Sequence, residues 1–110
     1  MNLDVGCGKG QYNFFIEDVV GVDVDLPRLK LFYGEKVLAS ANYLPFRYDR
    51  FERVGFFGLL ECEGVDWQRC FTEAIRVLKD RGILWMNQPF RVWDSVLGAH
   101  FYGVLVVSKP

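Results

Sequence analysis

The chain has little of what several common kinds of site require. Its 110 residues include one histidine, His100, and three cysteines that form no C-x-x-C pair. No group of His, Cys, Asp or Glu has the spacing of a metal site, and Ser, His and Asp do not occur in a hydrolytic arrangement. We therefore expect no metal. An odd number of unpaired cysteines is typical of reduced thiols, so we expect a cytoplasmic protein.

The sequence also has no excess of charge of one sign and no long apolar run. Thirteen basic and fourteen acidic residues give a net charge of -1, whereas nucleic-acid-binding proteins usually have a basic excess. The apolar runs are far shorter than the ~20 residues of a membrane span, and no signal peptide opens the chain. We therefore expect no membrane partner and see no strong sign of a nucleic-acid partner.

Apolar and aromatic residues are abundant instead, at 51% and 16% of the chain. A chain of this length predicts a single domain over 1–110. Its apolar content has two interpretations that the sequence leaves open. One is a dense core, and the other is an apolar surface that meets a second copy or a partner subunit.

The most informative stretch is LDVGCGKG, residues 3–10, which has glycines at positions 6, 8 and 10. Glycine lets the backbone turn sharply and approach a ligand closely. If a helix begins just after this loop, its free amides and its positive end face the ligand. In the dinucleotide fingerprint the third glycine comes one position later and the acid follows about 20 residues on. That spacing disfavours a nicotinamide-dependent oxidoreductase, which remains a distant alternative.

The remaining pattern alternates short apolar strands with helices. Pro27 suits a first helical turn and Asp66 suits an N-cap, and Lys79 and Gly82 suit a helix end and the turn beyond it. This order predicts an α/β three-layer fold, doubly wound around a mostly parallel sheet. The predicted strands are 2–5, 19–23, 36–39, 51–60, 83–86 and 101–107. The predicted helices are 11–18, 26–33 and one that follows residue 66.

Four segments in this order resemble class I S-adenosylmethionine-dependent methyltransferases. They are LDVGCGKG, GVDVD (21–25), LPF (44–46) and RVLKDRG (76–82). The resemblance implies the Rossmann-like methyltransferase fold, here with a reduced C-terminal part. It also implies S-adenosylmethionine as cofactor and methyl transfer to an acceptor that the sequence does not identify.

The resemblance also implies which residues contact the cofactor. The three loop glycines would lie under its methionine part, Asp4 near its ammonium group, and Asp23 against both ribose hydroxyls. A carboxylate has two acceptor oxygens and suits a diol. The full predicted set is Asp4, Gly6, Cys7, Gly8, Gly10, Asp23, Val24, Ser40, Ala41 and Leu60.

The adenine end of this site departs from the family pattern. Ser40 and Ala41 stand where many members have an acid that binds the exocyclic amine of the adenine. Ser40 would accept one weaker hydrogen bond instead. Apolar contacts to the adenine would come from Val24, Leu26, Tyr43 or Leu44.

The segment after the fourth strand is where the resemblance puts the chemistry. Ligands of open α/β sheets bind beyond the carboxyl ends of the strands, which brings Glu61, Cys62 and Glu63 near the reacting methyl group. Glu61 is the candidate general base or substrate-orienting acid, with a solvated loop acid as the alternative. The histidine that many members carry here is absent. Residues 87–90, NQPF, are interpreted as a strand-to-loop turn that lines the substrate entrance with Trp85 and Trp93.

Two functions therefore remain open. The first is a small methyltransferase. The second is a catalytically degenerate subunit that binds or has lost the cofactor and supports a partner protein. The second is favoured by Ser40 in place of the acid, by the absence of a lid insertion, and by the aromatic content. Without a lid, either a large substrate or a second subunit would cover the site.

Overall fold

The computed structural model describes residues 1–10, 17–57, 66–89 and 102–110. These residues form one six-stranded sheet with strand order β3-β2-β1-β4-β5-β6. The strands are β1 (Asn2–Val5), β2 (Val19–Asp23), β3 (Glu35–Leu38), β4 (Phe51–Phe56), β5 (Leu78–Pro89) and β6 (Tyr102–Ser108), and the helices are α1 (Leu26–Leu29) and α2 (Trp67–Val77). β1 to β5 run parallel, and β6 pairs antiparallel with β5. The predicted fold class is confirmed.

The central strands form because their apolar runs are buried on both faces, as in other parallel sheets. Side chains alternate between the two faces of a strand, and two core clusters follow from this. The α2-side core contains Leu3, Val5, Val20, Val22, Leu44, Phe51, Val54, Phe56, Cys70, Ala74, Val77, Leu78 and Leu84. The α1-side core contains Cys7, Val19, Leu29, Phe32 and Phe57, with Trp85 packed against it. The sheet is therefore the middle of three layers.

Helix α2 carries an ion pair that holds the LPF segment in place. Asp66 caps the helix and accepts from the Arg69 amide at 3.2 Å. Arg76 donates to Glu73 at 2.5 Å and to the carbonyls of Leu44 and Phe46 at 2.8 and 2.7 Å. Glu73 in turn accepts from the Leu44 amide at 2.9 Å. The hydrogen bond from Arg76 holds the pKa of Glu73 below its usual value.

The helix after β2 is shorter than expected. The sequence predicts a helix over 26–33, but α1 ends at Leu29. The chain continues in tight turns, with the Leu31 amide donating to Arg28 and the Phe32 amide to Leu29, both at 3.0 Å. These turns bring Phe32 into the α1-side core, where it is 2% exposed. Burial of the Phe32 ring therefore outweighs the helix propensity of these residues.

The end of α2 also differs from the sequence expectation. The sequence predicts a helix end at Lys79 and a turn at Gly82, but both residues lie within β5. The pairing of β4 with β5 jumps from Phe51–Leu78 to Arg53–Ile83, so the extra residues form an irregularity in the strand. Arg81 lies there with φ +64. The residues that suit a turn, 79–82, therefore form an irregularity within β5 and do not separate α2 from the strand.

The remaining strand boundaries differ by small amounts. β3 begins and ends one residue before the predicted 36–39. β4 ends at Phe56, and residues 58–60 of the predicted strand over 51–60 lie outside the described residues. β5 extends through 87–89, so these residues pair with β6 and do not form the predicted turn. The predicted strand over 101–107 is found at Tyr102–Ser108. The predicted helix over 11–18 falls mostly outside the described residues.

Near its C-terminus the chain is tied to the end of α2 by one lysine. Lys109 donates to the carbonyls of Ile75 and Leu78 at 2.9 and 2.6 Å, and to Asp49 at 3.0 Å. The last carbonyls of a helix have no partner within the helix, so a cation at this position satisfies them. Lys109 thereby joins α2, β5 and the loop before β4.

Candidate functional site

The glycine loop follows β1 directly and is held by β2. Gly6, Gly8 and Gly10 have φ of 69, 52 and 88, in the left-handed region that favours glycine. The amides of Gly6 and Cys7 both donate to the Val22 carbonyl, at 2.7 and 3.0 Å. The Gly8 amide donates to Asp23 at 2.7 Å, and the Gly10 amide to the Cys7 carbonyl at 2.8 Å. Four of the amides over 6–10 are therefore already paired within the chain.

This pairing shows how the loop is fixed. The free amides that the sequence predicts to face the ligand belong to the helix after the loop, and residues 11–16 of that helix lie outside the described residues. The amides of the loop itself are used to fix its shape, and the shortage of side chains lets a ligand lie against the backbone. A loop of this kind is suited to van der Waals contact and to donor groups that reach its carbonyls, more than to an anion.

Asp4 lies between glycines of the two neighbouring strands. It pairs in register with Gly21 of β2 and Gly55 of β4, neither of which has a side chain. Its own side chain points to the face opposite Leu3 and Val5 and is 2% exposed. Burial, with Asp23 adding a smaller effect, raises the pKa of Asp4 to about 7. This carboxyl group is poised to change charge near neutral pH.

Asp23 ends β2 beside the glycine loop. Its Oδ2 accepts from the Gly8 amide at 2.7 Å, and its Oδ1 accepts from the Asp25 amide at 2.8 Å. A carboxylate has about four acceptor positions, so each oxygen keeps capacity for another donor. Asp4, Asp23 and the glycines thus converge at the carboxyl end of β1 and β2.

Cys7 lies beneath this loop in the α1-side core. Its thiol donates to the Gly8 carbonyl at 3.3 Å. An added Cβ on Gly21 would lie 2.7 Å from the Cys7 sulfur and 2.8 Å from the Phe32 ring. Burial, together with the charges of Asp4 and Asp23, raises the pKa of Cys7 to about 12. Cys7 is therefore a neutral packing residue and not a nucleophile, because the thiolate is the reactive form.

The predicted adenine contacts divide into exposed and buried groups. Val24, Leu26 and Tyr43 are exposed, whereas Leu44 is 4% exposed in the α2-side core and offers no free surface. The Tyr43 ring lies 4.8 Å from the Arg69 guanidinium. The Ser40 hydroxyl accepts from the Asn42 amide at 3.1 Å, which uses part of its acceptor capacity. Ala41 packs against the α2-side core.

The predicted catalytic segment is outside the described residues. Leu60, Glu61, Cys62 and Glu63 fall there, as do Trp93 and His100. Trp85, expected at the substrate entrance, is level with Gly55 in the sheet and packs against the α1-side core. Its indole N–H is buried and has no hydrogen-bond partner among the described residues.

Sequence reasoning missed two groups that support the site. Asp25 caps α1, accepting from the Arg28 amide at 3.2 Å, and supplies the backbone amide that binds Asp23. The acid followed by a proline two positions later was the available signal. The second group is the Glu73–Arg76 pair, which no local pattern reveals because its partners are 29 or more positions away.

Across the described ranges, no helix has the length and apolar character needed to cross a membrane.

Comparison with known proteins agrees with this geometry. The family model described as "Methyltransferase domain" matches residues 3–86. An uncharacterized protein of Methanocaldococcus jannaschii is 36% identical over 86 residues, which cover 74% of this chain and 34% of that protein.

Two solved structures share the fold. An S-adenosylmethionine-dependent methyltransferase of Thermotoga maritima has a TM-score of 0.70 at 22% identity, covering 77% of this chain and 42% of that chain. A methyltransferase of Haloferax volcanii, solved in complex with the methyltransferase activator Trm112, has a TM-score of 0.66 at 19% identity, covering 77% and 42%. The chain therefore spans about a third of the Methanocaldococcus protein and less than half of these two solved chains.

Proposed function

The chain belongs to the methyltransferase domain family of the class I superfamily, and on this premise we propose that it binds S-adenosylmethionine and transfers the methyl group to an acceptor. The observation that carries this proposal is the convergence of Asp4, the glycine loop and Asp23 at one edge of the sheet. Ligands of open α/β sheets bind at that edge. When bound, the cofactor supplies an electrophilic methyl group on a sulfonium, so the hard chemistry belongs to the cofactor.

The residues present fit each part of this cofactor. The buried Asp4 carboxylate and the loop carbonyls suit an ammonium group, because both are acceptors. The remaining capacity of Asp23 suits the two ribose hydroxyls. The exposed apolar side chains of Val24, Leu26 and Tyr43 suit the adenine faces. Ser40 offers a single weak acceptor where a carboxylate would bind the adenine amine more strongly.

On the acceptor side, Glu61 follows β4 and is the group we propose as general base or substrate-orienting acid. A base is needed only when the acceptor is protonated at neutral pH. With or without a base, the protein has to align the acceptor with the methyl group and exclude water. We also propose a reducing, cytoplasmic environment, in keeping with the free thiols of Cys7 and Cys70.

Calorimetry with S-adenosylmethionine and its demethylated product tests the cofactor assignment. Replacing Asp23 by alanine removes the proposed ribose acceptors and should weaken binding by about tenfold to a hundredfold, the range for a hydrogen bond to a charged group. Asp80→Ala is a matched control, since Asp80 is an exposed acid near the start of β5. Asp80→Ala should bind S-adenosylmethionine with the affinity of the wild type. Equal affinities for wild type and Asp23→Ala would refute the assignment, and a thermal shift with NAD instead would favour an oxidoreductase.

A partner-supporting subunit is the second candidate. Leu31 and Leu38, beside and within the edge strand β3, are 68% and 54% exposed, and the Haloferax neighbour was solved with an activator protein. Light scattering of the purified chain distinguishes the candidates together with turnover. Cofactor binding without turnover on broad acceptor pools, in a chain that self-associates, would favour the subunit. A clean monomer that methylates an acceptor would exclude it.

A further inference from the structure

Asp23 is hydrogen-bonded to three of the segments that surround the proposed cofactor site. Its Oδ2 accepts from Gly8 in the glycine loop at 2.7 Å, and its Oδ1 accepts from Asp25 at the start of α1 at 2.8 Å. Its own carbonyl accepts from the Ala39 amide, after β3, at 3.1 Å. A residue needed only for the ribose would not have to make these bonds.

The Gly8 amide depends on this carboxylate. Gly8 is buried, and a buried amide without a partner is costly. The neighbouring amides of Gly6 and Cys7 already share the Val22 carbonyl, so that acceptor is in use. Gly8 also has φ +52, a conformation that favours glycine, and its N–H faces Asp23 at the end of β2. The position of the loop therefore depends on the carboxylate of Asp23 accepting from the Gly8 amide.

We propose that Asp23 is a positioning residue for the glycine loop, in addition to its role in the proposed function, on which this inference rests. Its carboxylate bridges Gly8 and Asp25 and fixes the loop before any ligand arrives. Because each oxygen retains a free acceptor position, a ribose hydroxyl can be added without breaking the bridge. The cofactor then enters a site whose methionine and ribose ends are already held in register.

An asparagine at position 23 could not accept both of these hydrogen bonds. Both backbone partners are donors, whereas an asparagine side chain has one acceptor oxygen and one donor NH₂. Asp23→Asn keeps the size of the side chain but must present its NH₂ to one of the two amides. A change of nearly equal shape should therefore release the loop, which a role in simple packing would not predict.

Amide hydrogen exchange of the full chain, measured by NMR without ligand, tests the proposal. The Gly8 amide should exchange about tenfold to a hundredfold faster in Asp23→Asn than in wild type, the range for loss of a charge-assisted hydrogen bond. Asp25→Asn is the matched control, because it removes a nearby charge but keeps the cap and the backbone amide of residue 25. Its Gly8 amide should exchange at the wild-type rate.

A measurement on the wild type covers the case in which Asp23→Asn fails to fold. A scalar coupling across the hydrogen bond, from the Gly8 nitrogen to the Asp23 carboxylate carbon, should be detectable without any substitution. Absence of that coupling, or equal Gly8 exchange in wild type and Asp23→Asn, would overturn the bridge. Failure of the wild type to bind S-adenosylmethionine while the coupling is present would instead reject the proposed function and leave the bridge intact.

Discussion

Replacing Asp4 by asparagine should stabilise the folded chain at pH 8 and leave its stability unchanged at pH 3. Asp4 is 2% exposed between Gly21 and Gly55, and its burial raises its pKa from 3.8 to about 7. The folded chain therefore binds more protons than the unfolded chain between these two pH values. Its free energy of unfolding falls as the pH rises through that window. An asparagine side chain has no proton to lose, so this penalty disappears in the variant.

The size of the effect follows from the two pKa values. A pKa raised from 3.8 to about 7 corresponds to about 4 kcal/mol at 1.36 kcal/mol per pH unit. The full difference is reached above pH 7 and vanishes below pH 3.8. With a urea m-value of about 1–2 kcal/mol/M, the midpoint of Asp4→Asn should lie roughly 2–4 M higher at pH 8.

Urea titrations of both chains from pH 3 to pH 8 measure this difference. Taking the variant minus the wild type cancels the other titrating groups. Asp25→Asn is the control for the loss of one negative charge near Asp23, because Asp25 is exposed and asparagine keeps the helix cap. If the curves of Asp4→Asn and wild type run parallel from pH 4 to pH 8, the assignment of a buried, costly charge to Asp4 is wrong. Asp4→Asn should also bind S-adenosylmethionine more weakly than wild type if the Asp4 carboxylate binds the ammonium group of the cofactor.

Three further substitutions test the packing around the site. Arg76→Lys keeps the charge but loses the planar fork that reaches Glu73 and two loop carbonyls, and should cost about 2–4 kcal/mol in urea denaturation. Gly21→Ala puts a methyl group 2.8 Å from the Phe32 ring and should cost about 1–3 kcal/mol, partly restored by adding Phe32→Leu. Lys109→Met loses two hydrogen bonds at the end of α2 and one to Asp49, and should lower the free energy of unfolding by about 1–3 kcal/mol. No measurable change in any one of these variants would show that its contact contributes nothing to stability.

Much of the fold was predictable because the relevant signals are local. β1 and β2 were predicted at their observed bounds. In β1 two apolar residues flank an acid, as at the end of a short buried strand, and in β2 an apolar run ended by an acid is typical of a buried parallel strand. Helix α2 followed from its apolar spacing and its Asp66 cap. The irregularity in β5 was missed because a Gly and nearby charged residues also suit a turn. Only the pairing with β4 decides between the two.

The site was predictable in location but not in detail. Carboxyl ends of parallel strands meet at one edge, so the approach of Asp4, the glycine loop and Asp23 could be expected. The donors that Asp23 binds could not, because the chain satisfies the Gly8 amide with a residue 15 positions away. The roles of Glu61 and Leu60 stay predictions, as does the single domain over 1–110.

The close packing around Gly21 has a consequence for how this sequence can vary. An added Cβ on Gly21 would lie 2.7 Å from the Cys7 sulfur and 2.8 Å from the Phe32 ring, so positions 7, 21 and 32 share one volume. A larger residue at Gly21 would be tolerated only in a background where Cys7 or Phe32 has already been exchanged for something smaller. The order in which substitutions are acquired would then decide which lineages survive, and a redesign of the sheet has to vary the three positions together.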